Sequence, residues 1–278
     1  MQPPPRRSLA LLFLVFAGGA ASLGSEIAAA RLLAPYFGAS TIIWANTIAV
    51  VLVALSIGYW FGGRVADRYP TERALRLAVL GACVLLAAVP LAAGPFFDIV
   101  VGAFDTLNAG AFLGSLGGVL VLIALPLLLL GTVAPWAVRL AVHSVAEAGQ
   151  VSGRLYAIST LGSLTGVFLS ALLLVPELGT QRTFIVFAAV LALVAALVHV
   201  PRTALLVPAA LFGLLLIPPG ATRPAEAGTV VLEETESQYQ YVRVVQEGER
   251  RKLELNEGQA EHSVYDPATV LTLSLIHI

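Results

Sequence analysis

The chain has 278 residues, of which 58% are hydrophobic and only 12% are charged, whereas a typical soluble domain carries about 25% charged residues. Positions 1–224 hold twelve arginines and seven acids, while 225–278 hold four basic residues and ten acids. This composition argues against a water-soluble fold, and the uneven charge predicts two regions that face different solvents. The single Cys83 excludes an intramolecular disulfide, and no Cys/His spacing predicts a metal site.

The first 220 or so residues contain long apolar intervals with few charges. A helix needs about 20 mostly apolar residues to cross a bilayer, because its backbone amides must all be satisfied within the helix. The intervals predict an all-α polytopic membrane domain over 1–220, with the lipid bilayer as its solvent and about seven spans. The last span is the shortest, and the predicted positions are 9–33, 41–61, 75–95, 113–135, 154–175, 183–200 and 203–218. A cleaved signal over Met1–Phe16 is the alternative for the first of them.

Arginines flank alternate ends of these intervals. By the positive-inside rule their side of the membrane is cytoplasmic, and they are Arg6, Arg7, Arg64, Arg68, Arg73, Arg76, Arg139 and Arg154. The opposite loop at 96–112 has two acids and no basic residue. Seven spans would place the C-terminal tail outside, whereas one span more or fewer reverses that side.

The first span carries two ionisable residues, Glu26 and Arg31. Burial of an ionisable group in lipid costs several kcal/mol unless the group is paired or hydrated, so such residues are candidate functional sites. We expect the two to pair around the helix or to face a polar cleft. The alternative is a structural role for both near the outer interface, with Arg31 snorkelling.

The segment Gly62-Gly63-Arg64-Val65-Ala66-Asp67-Arg68 lies between the second and third predicted spans. It resembles the cytoplasmic loop signature of major facilitator transporters, in which the Asp and Arg link neighbouring helix ends. That resemblance implies roles for Gly63, Asp67 and Arg68, and a half-facilitator-like domain that needs a second half or a dimer. The alternative is a tight turn that glycine permits and whose arginines only fix the topology.

Small residues at helical spacing follow in the later spans. Gly162 and Gly166 form a small-xxx-small pattern that lets two helices approach closely. This face is favoured as a packing surface and is the candidate contact for a homo-oligomer. Pro135 is expected to end or kink its span, and Trp136 suits a membrane interface.

After a linker at 221–228, the pattern changes to alternating apolar and polar residues. This alternation predicts three strands, Thr229–Glu234, Tyr239–Val245 and Lys252–Leu255, with a turn at Glu247-Gly248-Glu249. A sheet this small does not build a stable core alone. We expect 229–272 to open a larger domain.

Two segments of the tail resemble the N-terminal β-hairpins of spermidine synthases. They are 236–244, with the sequence Glu-Ser-Gln-Tyr-Gln-Tyr-Val-Arg-Val, and 251–259, with the sequence Arg-Lys-Leu-Glu-Leu-Asn-Glu-Gly-Gln. The membrane segments 26–44, 62–68 and 153–166 look like the membrane half of bacterial fused facilitator/spermidine-synthase-like proteins. The resemblance implies a multi-pass protein of the bacterial plasma membrane.

In that family the hairpins precede a Rossmann-like domain that transfers an aminopropyl group from decarboxylated S-adenosylmethionine to a diamine, a small polyamine. The resemblance assigns substrate contacts to Tyr239 and Gln240, with Ser237 in the same motif, and gives Gln259 a similar role at a shorter spacing. A carboxamide suits such contacts because it both donates and accepts hydrogen bonds. No nucleic-acid partner and no cofactor are expected, and the catalytic residues stay unassigned.

The Gly-rich nucleotide loop and its ribose-binding acid do not follow the hairpins. We therefore expect a truncated spermidine-synthase-like domain without its catalytic core, and an artefactual end at 273–278. Two alternatives stay open. The membrane region is itself a transporter or exporter of polyamine-like cations, with Glu26 as the cation contact, or it is only an anchor and oligomerisation platform.

Overall fold

The computed structural model describes residues 6–104, 110–196, 202–226, 228–258, 261–268 and 273–274. It is mostly helical, with a small antiparallel sheet at the C-terminal end. The helices are α1 (Arg6–Phe37), α2 (Thr41–Arg68), α3 (Glu72–Phe104), α4 (Gly110–Gly118), α5 (Ala124–Gly131), α6 (Val133–Ala141), α7 (Ala148–Leu169), α8 (Val175–Leu178), α9 (Thr180–Ala196) and α10 (Leu206–Leu214). Short π-helical turns join α4 to α5 and α7 to α8.

Five helical stretches in the described part of the chain are long and apolar enough to cross a membrane. They are Leu9–Phe37, Thr41–Arg68, Glu72–Gly102, Gly110–Ala141 and Val145–Leu178. Each has at least 28 residues and thus exceeds the roughly 30 Å hydrocarbon layer at a rise of about 1.5 Å per residue. The prediction of a polytopic helical membrane domain is confirmed in this form.

The sixth and seventh predicted spans fall on shorter helices. Helix α9 is apolar and has 17 residues, and α10 has nine residues after a 3₁₀ turn at Arg202–Leu205. Residues 197–201, between α9 and this turn, lie outside the described ranges. A count of seven spans therefore stays a prediction.

The tightest helix contact joins α1 to α7. A Cβ atom added at Gly162 would lie 2.1 Å from the carbonyl oxygen of Phe16, and one at Gly166 would lie 2.1 Å from that of Ala20. Only glycine lets the two backbones approach this closely. The face proposed as a contact between two copies is thus covered by α1 of the same chain, which corrects that expectation.

The second close contact joins α2 to the fourth span. A Cβ added at Gly62 would lie 2.6 Å from Cα of Thr132. The segment 62–68 is helical and forms the last turns of α2, so it is not the loop that its charges suggested. Charged side chains at a membrane interface do not end a helix, because they extend into water while the backbone stays helical.

The fourth span is interrupted at Thr132, whose N–H bonds the carbonyl of Leu129 at 3.1 Å. Pro135 lies in the first turn of α6, after the interruption. Proline is tolerated there because its missing N–H would have no helical partner. Pro135 therefore does not end the span, and the interruption just before it agrees with the other expectation, a kink. Trp136 is buried in the core and does not lie at an exposed interface.

The tail forms an antiparallel meander in the order β1-β2-β3-β4-β5. The strands are β1 (Thr229–Glu236), β2 (Tyr241–Glu247), β3 (Arg250–Leu255), β4 (Glu261–Tyr265) and β5 (Leu273–Ser274). The first three overlap the predicted strands, and Gly248 adopts a left-handed φ of 62° in the predicted turn. Tyr239 and Gln240 lie in the turn between β1 and β2, so the prediction that β2 starts at Tyr239 is wrong by two residues.

Candidate functional site

The sheet packs against one end of the helix bundle, at the last turns of α1 and the first residue of α9. The Arg31 side chain donates a hydrogen bond to the carbonyl oxygen of Ser237 in the β1–β2 turn. The Tyr36 hydroxyl donates to the carbonyl oxygen of Thr222 at 2.7 Å. We call this region the junction, defined by Arg31, Tyr36, Thr180, Thr222, Arg223, Glu234 and Glu236.

Glu236, the last residue of β1, joins the sheet to α9. Its Oε1 accepts a hydrogen bond from the Thr180 N–H at 3.0 Å, and its Oε2 accepts one from the Thr180 hydroxyl. A carboxylate placed at a helix N-terminus satisfies backbone donors that have no partner within the helix and interacts favourably with the helix dipole. The contact therefore fixes the end of β1 to the start of α9.

Burial raises the pKa of Glu236. The hydrogen bonds from Thr180 and the positive charge of Arg31 act in the opposite direction, whereas the charge of Glu234 adds to the increase. Burial is the largest of these causes because it penalises the ionised form. Burial at the junction thus makes the ionised form of Glu236 energetically costly.

Arg223 ties the linker to both regions. Its guanidinium donates to the carbonyl of Pro35 at 3.1 Å, to the carbonyl of Glu257, and to the Glu226 carboxylate at 2.7 Å. The planar guanidinium can hold several acceptors at once, which suits a position between a helix end and a strand. The predicted linker 221–228 therefore carries a structural contact.

The inner face of β2 is polar as well as buried. Arg243 is only 2% exposed, and its Nε lies 2.6 Å from Oε2 of Glu254 on β3. In the part of the chain that the structure describes, the second guanidinium nitrogen Nη1 of Arg243 and the Tyr241 hydroxyl are buried without a hydrogen-bond partner. Burial is also the main cause that raises the pKa of Tyr241, followed by the charge of Glu234. The sheet thus turns an ionisable face towards the bundle.

A cavity of about 390 Å³ lies beside the junction, between the α8–α9 corner, the linker and the end of β1. Its lining includes the carboxylates of Glu177, Glu234 and Glu236, together with Gln181 and Thr222. No lysine or arginine is among the described residues that line it. Arg31 lies close enough to act on Glu236, but the described lining carries three carboxylates and no basic group, so the chemistry of this cavity suits a cationic ligand.

The β1–β2 turn carries two of the predicted substrate residues. The Ser237 hydroxyl accepts hydrogen bonds from the N–H groups of Tyr239 at 3.2 Å and Gln240 at 3.1 Å, which closes the turn. Tyr239 is 86% exposed, and Gln240 is partly exposed. Gln259 lies outside the described residues. The structure therefore brings Gln240 to the junction through Ser237.

Glu26 and Arg31 do not form an ion pair in the described structure. Five residues correspond to about 500° of helical rotation, so their side chains leave α1 about 140° apart. Arg31 reaches the β1–β2 turn instead, and Glu26 lies half-buried on α1. The expected pairing around one helix is therefore wrong, because the spacing is one residue too long for neighbouring side chains.

The opposite end of the bundle holds the predicted facilitator-like motif. Asp67 Oδ1 lies 2.9 Å from Nε of Arg139, and this ion pair joins the end of α2 to the end of α6. Arg68 lies 5.7 Å from the ring of Tyr69. A Cβ added at Gly63 would meet nothing within 4 Å, so close packing does not require glycine at this position.

Several residues of the junction were not singled out by the sequence. Thr180, Arg223 and Tyr36 carry contacts to segments that are distant in the chain, and Glu236 was noted only as the start of a motif. The available signal was the placement of polar residues at the edges of apolar intervals. Such residues lie at membrane interfaces, where docking contacts are made.

Comparison of the chain with models of known protein families, with curated proteins and with solved structures found no match.

Proposed function

We propose that this chain is the membrane-integral part of a polyamine-handling protein, and that its sheet opens a spermidine-synthase-like aminopropyltransferase domain. The observation that carries this proposal is the position of the Ser237–Gln240 turn. Arg31 and Glu236 fix the start of this segment to the bundle, next to a cavity whose lining includes three glutamates. The turn also belongs to the segment whose sequence resembles the hairpins of spermidine synthases.

The cavity beside the junction supplies the amine contact in this proposal. A diamine carries two positive charges at neutral pH, and Glu177, Glu234 and Glu236 surround one space of sufficient size. Because burial raises the pKa of Glu236, an incoming ammonium group would favour its ionised form. The donor would be decarboxylated S-adenosylmethionine, held by the part of the domain that follows the sheet.

Binding of putrescine to the purified chain in detergent tests the cavity. Glu234→Gln removes one lining carboxylate and should weaken binding by about fivefold or more, since a charged contact contributes about 1 kcal/mol or more. Glu233→Gln is the matched control, because this neighbouring residue of β1 does not line the cavity. Equal affinity for putrescine in both variants and in the parent chain would contradict an amine site in this cavity.

Aminopropyl transfer itself is tested on a homologous protein whose domain continues after the sheet. Replacement of the residue equivalent to Gln240 by alanine should reduce transfer and raise the KM for the donor. A homologue that is inactive with every diamine would overturn the enzyme proposal while leaving the binding result intact.

The orientation of the bundle is part of the same proposal. The Asp67–Arg139 ion pair joins the ends of α2 and α6, and the first turns of α1, α3 and α7 line one cavity together, so all five helix ends lie at the same end of the bundle. Eight of the twelve arginines in 1–224 therefore gather at one end, whereas the sheet packs at the other. In this proposal the arginine-rich end is cytoplasmic, as the positive-inside rule favours, and the sheet lies outside the cytoplasm. Aminopropyl transfer therefore requires decarboxylated S-adenosylmethionine on the same side of the membrane as the sheet.

Transport of polyamine-like cations by the bundle is the second candidate. A cavity of about 220 Å³ lies inside the bundle, between α1, α2, the fourth span and α7, and is lined by small and hydroxyl residues such as Gly18, Ser22 and Ser163. No charged side chain is among the described residues of its lining, and Glu26 is not one of them. A dication would therefore meet no counter-charge there, so this candidate has less support. Equal efflux of labelled putrescine from vesicles with the native chain and with Glu26→Gln would remove Glu26 as its cation contact.

A further inference from the structure

A cavity of about 360 Å³ opens at the arginine-rich end of the bundle, far from the junction. It lies between the first turns of α1, α3 and α7 and the end of α6. Its polar lining consists of Glu72, Arg76, His143 and Arg154. With histidine neutral, the two arginines outweigh the single glutamate, so the polar rim carries a net positive charge.

The remaining lining is apolar and extends into the bundle. Leu11, Leu12 and Leu140 are partly exposed in this lining, whereas Leu14, Leu75 and Leu155 are at most 3% exposed. The cavity therefore offers two guanidinium groups and several leucines to one ligand. A soluble anion would use only the rim, whereas a molecule with a charged head and an apolar chain would use both.

The two arginines approach the cavity from different helices. Arg76 is in the second turn of α3, lines the cavity, and donates a hydrogen bond from its Nε to the carbonyl of Glu72 at 3.3 Å. Arg154 is exposed on α7 and forms no ion pair with any residue in the described ranges. Guanidinium groups bind phosphate oxygens strongly, and two of them from separate helices can share one phosphate.

We propose that this cavity binds an anionic phospholipid of the cytoplasmic leaflet. Its phosphate would lie between Arg76 and Arg154, and part of an acyl chain would cover the partly exposed Leu11, Leu12 and Leu140. Basic pockets between transmembrane helices on the cytoplasmic side are a recurrent setting for acidic lipid headgroups. Bound lipid would contact the first turns of α1, α3 and α7 together, and would thus stabilise the arginine-rich end.

The test uses the purified full chain in detergent and native mass spectrometry with three probes. These probes are phosphatidylglycerol, phosphatidylcholine with the same acyl chains, and glycerol 3-phosphate. We expect phosphatidylglycerol to bind at least fivefold more tightly than phosphatidylcholine, and glycerol 3-phosphate to bind far more weakly. Equal binding of the two lipids, or equal binding of the lipid and glycerol 3-phosphate, would overturn the proposal.

Variants assign the binding to this cavity. Arg154→Gln should weaken phosphatidylglycerol binding by about fivefold, and the Arg76→Gln/Arg154→Gln double variant by roughly 25-fold. Arg64→Gln is the matched control, because Arg64 lies at the same end but stacks 3.6 Å from the ring centre of Trp60, outside the cavity. An equal loss in the Arg64 variant would show general surface attraction and would contradict the site.

The apolar half of the cavity is tested separately by Leu11→Gln, a substitution of a partly exposed residue. It should weaken lipid binding and leave the weak binding of glycerol 3-phosphate unchanged. An unchanged lipid affinity in this variant would contradict the acyl-chain position. An unchanged thermal midpoint of each variant without lipid confirms that the fold is intact.

Discussion

The two ends of the helix bundle use ionisable side chains in different ways. At the arginine-rich end the Asp67–Arg139 pair is exposed to solvent, with 74% and 49% of the two side chains accessible. At the sheet end Arg31, Glu236 and Arg243 are partly or fully buried and bond directly to backbone or to a second ionisable group. The ionisable groups of the first end are screened by water, whereas those of the second end hold the sheet and the helix bundle together.

This difference has an energetic basis. An exposed ion pair contributes about 0–1 kcal/mol because water screens its attraction. A buried charge that loses its partner leaves an uncompensated charge in a medium of low dielectric, which costs about 3–5 kcal/mol. Substitutions of equal size at the two ends should therefore have unequal effects on stability.

The largest effect is expected from Glu254→Ala, which leaves the buried Arg243 guanidinium without its closest carboxylate. The free energy of opening of the sheet should fall by about 3–5 kcal/mol, as measured by native-state proteolysis. Glu249→Ala, in the exposed β2–β3 turn, is the control and should change it by less than about 0.5 kcal/mol. Similar losses in both variants would mean that the Arg243–Glu254 pair has no special role.

A smaller effect is expected from Thr180→Val, which keeps the shape of the side chain and removes the hydroxyl that donates a hydrogen bond to Glu236. Loss of one partner of a buried hydrogen bond costs about 1–3 kcal/mol. Proteolysis of the linker should accelerate accordingly, since it requires the sheet to leave the bundle. Thr160→Val is the control, because the exposed Thr160 hydroxyl bonds only within α7. Linker cleavage at the native rate in Thr180→Val would place the docking energy elsewhere.

The pH dependence of docking follows from Glu236. Its pKa in the folded protein is raised above the ordinary value of 4.5, so the folded state holds the proton more tightly than the unfolded state. The contribution of this group to stability is fully present below pH 4.5 and decreases as the pH rises through the raised pKa. Linker proteolysis should therefore be slower at the acidic side of this window, and Glu236→Gln should remove the pH dependence. If the Glu236→Gln variant kept the pH dependence of linker proteolysis seen in the native chain, another group would be its cause.

The smallest effect is expected from Asp67→Asn, which breaks the exposed ion pair with Arg139. The thermal stability of the bundle in detergent should change by no more than about 1 kcal/mol, and the change should vanish at high salt. A loss as large as that of Glu254→Ala would contradict the contrast between the two ends and would give the pair a structural or switching role.

The helical membrane region could be predicted from sequence because lipid imposes one strong constraint on the backbone. The first five intervals are found within the five long helices. The segment 62–68 was predicted as a loop from its glycines and charges, but Gly62 serves a close helix contact and the arginines extend from a continuing helix. Residue type alone does not separate these two uses.

The junction could not be predicted, because its contacts join residues that are far apart in the chain. Arg31 and Ser237 are 206 positions apart, and Thr180 and Glu236 are 56 apart. The alternation Gln-Tyr-Gln-Tyr at 238–241 favoured a continuous strand, but the Ser237 hydroxyl closes a turn there. Local patterns predict local structure, and docking depends on geometry that they do not contain.

Labelling of single cysteines in cells tests the central claim, which is that the sheet and the arginines lie at opposite ends of a membrane-spanning bundle. One cysteine replaces Glu249 in the β2–β3 turn and another replaces Arg68 at the end of α2, each in a Cys83→Ala background. With a membrane-impermeant maleimide on intact bacterial cells, position 249 should be labelled and position 68 should react only after permeabilisation. Labelling of both positions, or of position 68 alone, in intact cells would contradict the account.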